Sequence, residues 1–443
     1  MKTRLINIKL CGFKSINEPI ELQFANKTLD KHFFEQSNVK AIYGTNGVGK
    51  SAIALALDIY KKTILNDKFL TVESANGYLE KIINNQNKNA YIDLYFALFD
   101  GKNISIFHHS IGYKLVDKEL LIDYEKLLFV NGMTWGNQSN EEIVYSVKNG
   151  QIEQLFDVSD EYAQEIKNSS ANLLDSSSLL IKCIQAQKKV SKTAINDLKM
   201  MVFTNSLLVF VAFLNVFINN EDSNRANSNK FKMAFDLIKE SDSKALDDKG
   251  DLLFYDDVAV INEKNVETYR ALTNRITEFI RIFKPNLVEI KVETVPVDSV
   301  GNVVCKRKLI YDNGAEVYSQ YESSGIKRLI KMFPILSSQS LAGVVFIDEF
   351  DANIHDVYLC KLIEYFIDYS DAQLIFTTHN LGPMEVLGNS DLKHTIDFIN
   401  GSKITSWRKN GNYSVVNVYR NGAIPNCPFN ISPADFVGVF EEK

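Results

Sequence analysis

A glycine-rich loop near the N-terminus has the residue types and spacing of a phosphate-binding P-loop. The stretch GTNGVGKSA comprises Gly44, Thr45, Asn46, Gly47, Val48, Gly49, Lys50, Ser51 and Ala52. The glycines allow the backbone to turn so that successive N–H groups point at phosphate oxygens, and the helix expected from Lys50 adds the positive end of its dipole. Lys50 is expected to reach the β- and γ-phosphates, and the Ser51 hydroxyl to ligate Mg²⁺. The loop therefore predicts a site for ATP with Mg²⁺.

Two further groups of residues could act on that nucleotide. The uncharged run at residues 341–347 predicts a strand buried on both faces of a parallel sheet, and Asp348 and Glu349 follow it. Carboxylates at such a strand end face the ligand crevice, so we expect Asp348 to bind Mg²⁺ through water and Glu349 to act as the base that polarises the attacking water. The next apolar strand ends in His379, which can hydrogen-bond the γ-phosphate or that water. The predicted catalytic residues are Lys50, Glu349 and His379.

The elements that must position these residues are indicated by hydrophobic periodicity. Two alternating strands joined near SINEP open the chain, a short strand NVKAIYG runs into the P-loop, and the helix KSAIALALDIYKKTIL follows. Alternation predicts an antiparallel meander at residues 90–131, and helical spacing predicts a mostly helical insertion at residues 158–284. A hairpin with its turn at DSVGN follows, and from residue 321 helices and strands alternate. The last strands are predicted at HTIDFIN, KITSWRK and SVVNVYR.

The composition limits the class of protein. With 443 residues, of which 45% are hydrophobic, the chain can bury the core of two or three packed units. A formal net charge of −6 argues against a protein that coats nucleic acid non-specifically, although a local basic groove stays open. Five scattered cysteines without a CxxC pair fit reduced thiols in a cytoplasmic protein and offer no zinc site.

Three local features receive a structural interpretation. The N-terminal stretch MKTRLINIKL lacks the apolar region of a signal peptide. The apolar run at residues 200–218 is nearly long enough to span a bilayer, but polar residues interrupt it, so we expect a buried helix and no membrane contact. The neighbours His108 and His109 lie within the predicted meander and are expected to be structural residues, not metal ligands.

The order of the motifs resembles that of ABC-type ATPases: a P-loop, a strand ending in Asp-Glu, a helix, and a strand ending in histidine. The stretch YESSGIKRLI resembles their signature sequence in a degenerate form, with Ser323, Ser324 and Gly325 at the head of a helix. In such ATPases the signature of one subunit closes over the nucleotide held by the P-loop of another. The resemblance therefore implies that these three residues contact ATP in a head-to-tail dimer that hydrolysis opens. Residues 353–356 resemble the D-loop, which crosses the dimer interface.

Within that class the chain resembles the RecF, SMC and OLD-type ATPases. Its opening stretch INIKLCGFKSINEPIELQF is similar to their first hairpin, and its signature reads SSG-x-K-R. The chain also resembles compact prokaryotic ATPases of abortive-infection and anti-phage systems, because its stretch DEFDANIH is similar to the continuation of their acidic strand. The resemblance covers about residues 1–135 and 286–395. The glutamine that follows the first lobe in these enzymes has three candidates here, namely Gln138, Gln151 and Gln154.

The resemblance implies an α/β fold of the ABC type, with a mixed sheet around the P-loop helix, an antiparallel β lobe and a mostly helical insertion. We divide the chain into an N-terminal ATPase lobe at residues 1–157, the insertion at residues 158–284 and a C-terminal ATPase lobe at residues 285–443. The implied function is slow ATP hydrolysis that controls or carries a separate effector, such as a nuclease or toxin, in bacterial anti-phage defence. The partners would be that effector and a second copy of the chain, with a higher oligomer left open.

Other functions remain as alternatives. A RecF-like DNA-repair ATPase would grip duplex DNA through lysines that contact phosphates, with Lys14, Lys182, Lys188, Lys189 and Lys192 as candidates. A nucleotide-gated scaffold would bind ATP and barely hydrolyse it. A transporter subunit would share the motifs, but the opening hairpin, the signature and the long insertion point away from it. Acids are sparse after His379, so the Toprim nuclease module of OLD proteins is not expected in this chain.

Overall fold

The computed structural model has two large sheets that enclose the P-loop helix, and a third, smaller sheet. It describes residues 1–35, 38–84, 86–170, 174–190, 194–218, 258–296, 301–337, 343–389, 391–401, 403–407 and 414–424.

The first sheet has seven antiparallel strands and confirms the predicted opening hairpin and meander. Its strands are β1 (Lys2–Cys11), β2 (Ile20–Gln23), β4 (Asn89–Phe99), β5 (Ile104–Val116), β6 (Glu119–Val130), β7 (Glu141–Lys148) and β8 (Gln151–Leu155). Their order is β2-β1-β4-β5-β6-β7-β8. Ile8 and Leu10 face one core, whereas Ile6 lies in a separate apolar cluster. The alternation of β1 breaks because a register shift between Leu5 and Asn7 inserts an unpaired residue.

The second, central sheet carries the strand ends at which the predicted site residues lie. Its strands are β3 (Asn38–Gly44), β9 (Leu214–Phe217), β14 (Val344–Ile347), β15 (Gln373–Thr377), β16 (Ile396–Asn400) and β17 (Lys403–Ser406). The order is β17-β16-β3-β15-β14-β9, and every neighbouring pair is parallel except β16 with β17. All of β14 is buried, as the uncharged run predicts. Because β3, β14 and β15 are parallel, their C-terminal ends meet at one edge of the sheet.

The P-loop helix α2 (Lys50–Leu65) begins and ends where the sequence predicts and lies between these sheets. Fourteen of its 16 residues are buried, which is typical of a helix that is apolar on all sides. One apolar core joins α2 to the first sheet and to one face of the central sheet. A second core covers the other face of the central sheet. The predicted α/β fold, with a mixed sheet around the P-loop helix and an antiparallel lobe, is confirmed.

The segment at residues 158–284 is not only helical. It contains α4 (Asp160–Ser170), α5 (Leu179–Gln187), α6 (Ile195–Ala212) and α7 (Val266–Phe283), but also β9 and β10 (Val258–Asn262). Strand β9 pairs with β14 in the central sheet, so part of the segment belongs to the same sheet as the P-loop strand. The sequence missed it because a short apolar run has no periodicity that separates a strand from a buried helix. The polar stretch at residues 219–229, whose composition predicts an exposed loop, and the helical pattern that follows it lie outside the described residues. The domain boundaries stay a prediction.

The apolar run at residues 200–218 divides between two elements. By length and composition alone α6 could cross a membrane, a test that core helices of soluble proteins also pass, and 44% of its 18 residues are buried. The prediction of a buried helix holds for the C-terminal half of α6, where Leu207, Phe210 and Val211 are buried. Its N-terminal half exposes Ile195 and Val202 instead.

The third sheet confirms the predicted hairpin, which is formed by β11 (Leu287–Pro296) and β12 (Asn302–Tyr311). Strands β10 and β13 (Glu316–Tyr318) both pair with β12. The predicted turn DSVGN falls partly outside the described residues. Helix α7 packs on this sheet through Val266 and Tyr269.

The remaining helices are α1 (His32–Glu35), α3 (Phe69–Ala75), α8 (Ser324–Ser337), α9 (Asp356–Tyr369), α10 (Gly382–Gly388) and α11 (Val415–Arg420). The strand predicted at SVVNVYR is wrong, because this stretch forms α11. Its buried residues Val415, Val416 and Tyr419 have helical spacing, and their packing against the second core outweighs the strand preference of valine.

Candidate functional site

The P-loop connects β3 to α2, and its glycines adopt backbone conformations that side chains disfavour. Gly47 has a φ of 78° and Gly49 has a φ of 110°. Glycine reaches this left-handed region without a steric penalty, and the turn brings the chain into the start of α2. Asn46 and Gly47 are exposed at the tip of the loop, where a ligand can approach them.

Lys50 is folded over its own loop. Its Nζ atom donates hydrogen bonds to the carbonyl oxygens of Gly44 and Thr45, both at 2.8 Å. Burial lowers the pKa of Lys50, while the charges of Asp348 and Glu349 act in the opposite direction. The ammonium group therefore lies between the loop carbonyls and the acidic strand end. A bound phosphate could replace these carbonyl oxygens as the hydrogen-bond acceptor of the Lys50 ammonium group, and its negative charge would make the bonds stronger.

The two predicted Mg²⁺ ligands are in contact with each other. The hydroxyl of Ser51 hydrogen-bonds the carboxylate of Asp348, and Thr377 Oγ1 donates to Asp348 Oδ1 at 2.6 Å. Burial raises the pKa of Asp348, and the two hydroxyls oppose that shift. A hydroxyl and a carboxylate are the oxygen ligands that Mg²⁺ prefers, with waters completing its coordination. The donor set therefore fits the metal.

Glu349 has an unusual backbone conformation. Its φ is 48°, in the left-handed region, where a residue other than glycine costs about 1–3 kcal/mol. Thr377 supports the turn, because its Oγ1 accepts from the N–H of Glu349 at 2.8 Å and its carbonyl accepts from the N–H of Phe350 at 2.9 Å. Arg328 of α8 donates from Nη2 to the carbonyl oxygens of Asp348, at 3.2 Å, and of Glu349. Sequence reasoning used Arg328 only as part of the signature pattern.

His379 follows β15 at the surface, with its ring partly buried. Its backbone N–H donates to Asp351 Oδ2 at 3.3 Å. Burial and the charge of Lys50 lower the pKa of His379, although nearby carboxylates oppose them, so the ring is neutral at pH 7 and can accept a hydrogen bond. The structure thus places His379 in the electrostatic field of Lys50, Asp348 and Glu349. Asp351 is a further acidic residue of this group, which the sequence marked only as part of DEFDANIH.

The predicted signature residues lie at the start of α8, and Gly325 packs against Asn353, which belongs to the stretch that resembles the D-loop. Ser323 and Ser324 are exposed, and Ser323 Oγ accepts from the N–H of Ile326 at 3.4 Å. A Cβ atom on Gly325 would lie 2.5 Å from the carbonyl oxygen of Asn353, so only glycine fits this approach. Among the described residues, the hydrogen-bond partners of Ser323 are Glu322, Ile326 and Lys327, and none of them belongs to the P-loop.

Several other predicted residues lie away from this group. The three glutamine candidates are all exposed, with Gln138 in a short 3-10 helix and Gln151 and Gln154 on the edge strand β8, and the choice among them stays open.

One of the lysines considered for DNA contact does not fit that role. Lys182 is only 2% exposed and lies 4.0 Å from Asp67, so it cannot form a surface contact to phosphate. Its prediction failed because the apolar side of a short helix is not apparent from lysine spacing. Lys14, Lys188 and Lys189 are exposed, and Lys192 lies outside the described residues.

The two adjacent histidines are held by carboxylates of the first sheet. His108 lies 3.1 Å from Asp93 and 3.2 Å from Glu141, and its ring stacks on Tyr95. Burial disfavours the charged ring, but its hydrogen bonds to Asp93 and Glu141 outweigh burial and raise the pKa of His108 to about 9. His109 is fully buried. In the part of the chain that the structure describes, no group of three or more His, Cys, Asp or Glu residues could hold a metal ion.

The charge of His108 predicts that stability depends on pH. Its folded pKa of about 9 lies above the 6.5 of the unfolded chain, so its ion pairs stabilise fully below pH 6.5 and are lost as the pH rises through 9. We expect His108→Gln to lower the free energy of unfolding by about 3 kcal/mol at pH 6 and by much less at pH 10. Urea unfolding at both pH values measures this, with the exposed His32→Gln as control. An equal loss at both pH values would contradict it.

One family model matches part of the chain. A family model described as "AAA domain, putative AbiEii toxin, Type IV TA system" matches residues 217–384. The matched interval runs from the end of β9 through the signature, the acidic strand and His379. No curated protein matches the sequence.

Three solved structures are similar in their overall course. An SMC head bound to the C-winged helix domain of ScpA has 14% identity and a TM-score of 0.40, over 91% of this chain and 97% of that chain. The SMC head domain from Thermotoga maritima has 15% identity and a TM-score of 0.35, over 92% of this chain and 100% of that chain. The SMC head domain from Pyrococcus yayanosii, with a coiled coil and joint, has 13% identity and a TM-score of 0.40, over 92% of this chain and 97% of that chain.

The chain has the fold of an ABC-type P-loop ATPase. The P-loop ends one parallel strand of the central sheet, the Asp-Glu pair ends another, and the histidine ends the strand between them. The family match covers the acidic strand and the histidine but not the P-loop. The P-loop belongs to the same site because Lys50 and Ser51 lie against the acidic strand end.

Proposed function

We propose that this protein hydrolyses ATP and that its ATP-dependent, head-to-tail dimerisation controls or carries an effector protein. The observation that carries the proposal is the meeting of Lys50, Ser51, Asp348 and Glu349 at one edge of the central sheet. A glycine-rich turn that binds no ligand would not need the buried carboxylate of Asp348 to hydrogen-bond Ser51, the residue after the P-loop lysine. We accordingly propose ATP with Mg²⁺ as the ligand.

Each residue of this group has a role in the proposed reaction. Lys50 and the N-terminal N–H groups of α2 would bind the β- and γ-phosphates. When bound by Ser51 and Asp348, Mg²⁺ would neutralise charge on the phosphate oxygens. Glu349 would orient the attacking water and accept its proton, and the neutral ring of His379 would hydrogen-bond the transferring phosphate or that water.

The proposed dimer is supported by the exposure of two complementary surfaces. Asn46 and Gly47 are exposed on the P-loop, and Ser323 and Ser324 are exposed at the N-terminus of α8. The N–H groups of a helix N-terminus favour an anion, so the signature is suited to the γ-phosphate of a nucleotide held by another copy. ATP would then join two copies, and its hydrolysis would release them.

The family description supports the proposed biological setting, because it describes the matched domain as a putative AbiEii toxin of a type IV toxin–antitoxin system. We propose a role in anti-phage defence on that ground. The predicted motifs of this chain are those of an ATPase alone, so we propose that the effector, a nuclease or toxin, is a separate protein. We also propose that the protein works in the cytoplasm. The four cysteines in the described residues are free thiols, and three of them are buried, which fits a reducing compartment.

Mixing two inactive variants tests the shared site. Lys50→Ala removes the P-loop cation, and Ser324→Arg blocks the signature while leaving the P-loop intact. Each variant alone should hydrolyse ATP at the background rate. An equimolar mixture should recover activity, at most about half of the wild-type rate, because a mixed dimer pairs the intact P-loop of one variant with the intact signature of the other and so holds one intact site of two. A mixture as inactive as its parts would contradict a shared site, whereas full activity of Ser324→Arg would place the site within one chain.

A further inference from the structure

A charged side chain of the signature helix is buried beside the acidic strand end. Arg328 is only 4% exposed, although it lies on α8, one helical turn after Ser324. Its guanidinium carbon lies 5.2 Å from the centre of the ring of Phe217, the last residue of β9. A buried guanidinium is unfavourable unless polar groups match its donors. The partners of Arg328 therefore indicate what its burial serves.

The guanidinium of Arg328 donates hydrogen bonds to backbone oxygens of the residues that carry the predicted chemistry. Nη2 donates to the carbonyl oxygen of Asp348 at 3.2 Å and to that of Glu349. These two carbonyls form the start of the turn that leaves β14. Arg328 thus joins the helix that begins with the signature to the backbone of Glu349.

That backbone is held in a conformation that it would not prefer alone. Glu349 has a φ of 48°, and such a residue keeps a left-handed conformation only where its surroundings determine it. Thr377 of β15 holds the N–H side of the turn, through the N–H groups of Glu349 and Phe350. Arg328 holds the carbonyl side. The position of Glu349 is thus determined from the central sheet and from α8 together.

We propose that Arg328 is a positioning residue, which fixes the backbone of Glu349 to the signature helix so that the carboxylate is placed for catalysis only when α8 is in position. The proposal rests on the proposed function in one respect, the role of Glu349 as base. It adds a physical link between two parts of the site: a nucleotide that moves the N-terminus of α8 moves the anchor of the base with it.

Two substitutions in the full-length protein test this. Arg328→Met keeps the apolar stem and removes the donors, and Arg328→Lys keeps the charge but lacks the planar fork that reaches two carbonyls. We expect Arg328→Met to lower kcat about 10- to 100-fold, because a small misplacement of a catalytic group has effects of this size. KM for ATP should stay within about threefold of wild type, since ground-state binding is untouched. Arg328→Lys should lie between the two.

Hydrogen exchange gives a readout that does not depend on turnover. Without nucleotide, the amides of Glu349 and Phe350 should exchange about tenfold faster in Arg328→Met than in wild type, because the turn opens more often. Lys331→Met, three residues further along α8, is the matched control and should behave as wild type in both measurements. If Arg328→Met does not fold, Arg328→Lys alone decides, with a smaller change expected in the same direction.

The outcomes separate this proposal from the proposed function. Wild-type exchange rates in Arg328→Met would overturn the anchoring role. Faster exchange with unchanged kcat would overturn its importance for catalysis, and a rise in KM that matches the loss of kcat/KM would assign Arg328 to binding instead. If the wild-type protein shows no turnover that depends on Lys50, the proposed function fails, and the exchange rates still decide whether Arg328 anchors Glu349.

Discussion

Lys50→Ala should stop ATP turnover and strongly weaken ATP binding while the protein remains folded. Lys50 is the cation that the structure places between the P-loop carbonyls of Gly44 and Thr45 and the acidic strand end. Two charge-assisted hydrogen bonds to phosphate contribute about 3–6 kcal/mol together, so ATP affinity should fall by about 100-fold or more. Calorimetric titration with ATP and a phosphate-release assay measure the two effects.

The matched control for this substitution is Lys68→Ala, which removes an exposed lysine shortly after α2. It should leave both ATP affinity and turnover unchanged. The thermal unfolding midpoint of Lys50→Ala should stay close to that of wild type, because the lost hydrogen bonds join residues of one short loop. Turnover in Lys50→Ala equal to that of wild type would show that the P-loop is not the site of hydrolysis.

Glu349→Gln should have the opposite effect on assembly: ATP still binds, but hydrolysis nearly stops and the nucleotide-bound dimer accumulates. General-base catalysis contributes about 10²- to 10⁴-fold, and glutamine keeps the size of the side chain without accepting a proton. Its amide also removes a negative charge beside Asp348 and Lys50, which favours the bound phosphates. Single-turnover kinetics and light scattering with Mg²⁺ and ATP measure these effects.

The control for this variant is Glu364→Gln on α9, which neutralises a carboxylate that pairs with Lys361 at the surface. It should hydrolyse ATP as wild type does and show no trapped dimer. A Glu349→Gln variant that hydrolyses normally would assign the base to another residue. One that stops hydrolysis but remains monomeric with ATP would leave the ATPase proposal intact and contradict the head-to-tail dimer.

The two substitutions together distinguish binding from chemistry. Lys50→Ala removes the ligand, so it should be monomeric with and without ATP. Glu349→Gln still binds ATP but cannot hydrolyse it, so the nucleotide stays bound. A nucleotide-gated scaffold that barely hydrolyses ATP predicts instead that wild type already forms the stable dimer and that Glu349→Gln changes nothing.

Much of the site could be predicted because its elements are locally encoded. Helix α2 has the predicted bounds, since its apolar residues continue without a break from the P-loop. The uncharged run before Asp348 predicted a strand buried on both faces, and β14 is one. Gly47 and Gly49 have positive φ angles that few other residues tolerate. The presence of glycine at these two positions was therefore enough to predict the turn.

Other features depend on contacts between distant parts of the chain. Residues 214–217 became a strand because β14 offered a free edge next to them, not because of their own pattern. SVVNVYR became a helix because three of its side chains could enter the second core. Lys182 was considered as a surface cation, but it lies on the side of α5 that packs against the core and is buried.

The sequence by itself determined which residues could do chemistry and at which strand ends they lie, because residue type and periodicity are properties of neighbouring positions. Only the tertiary structure decided that Ser51 contacts Asp348, that Arg328 holds the carbonyl of Glu349, and that Thr377 supports the same turn. These contacts join residues far apart in the chain. The contacts of Ser51 and Thr377 exist because β15 lies between β3 and β14 in one parallel sheet, and that of Arg328 exists because α8 packs on the same sheet. The order of strands in a sheet is set by packing over the whole molecule.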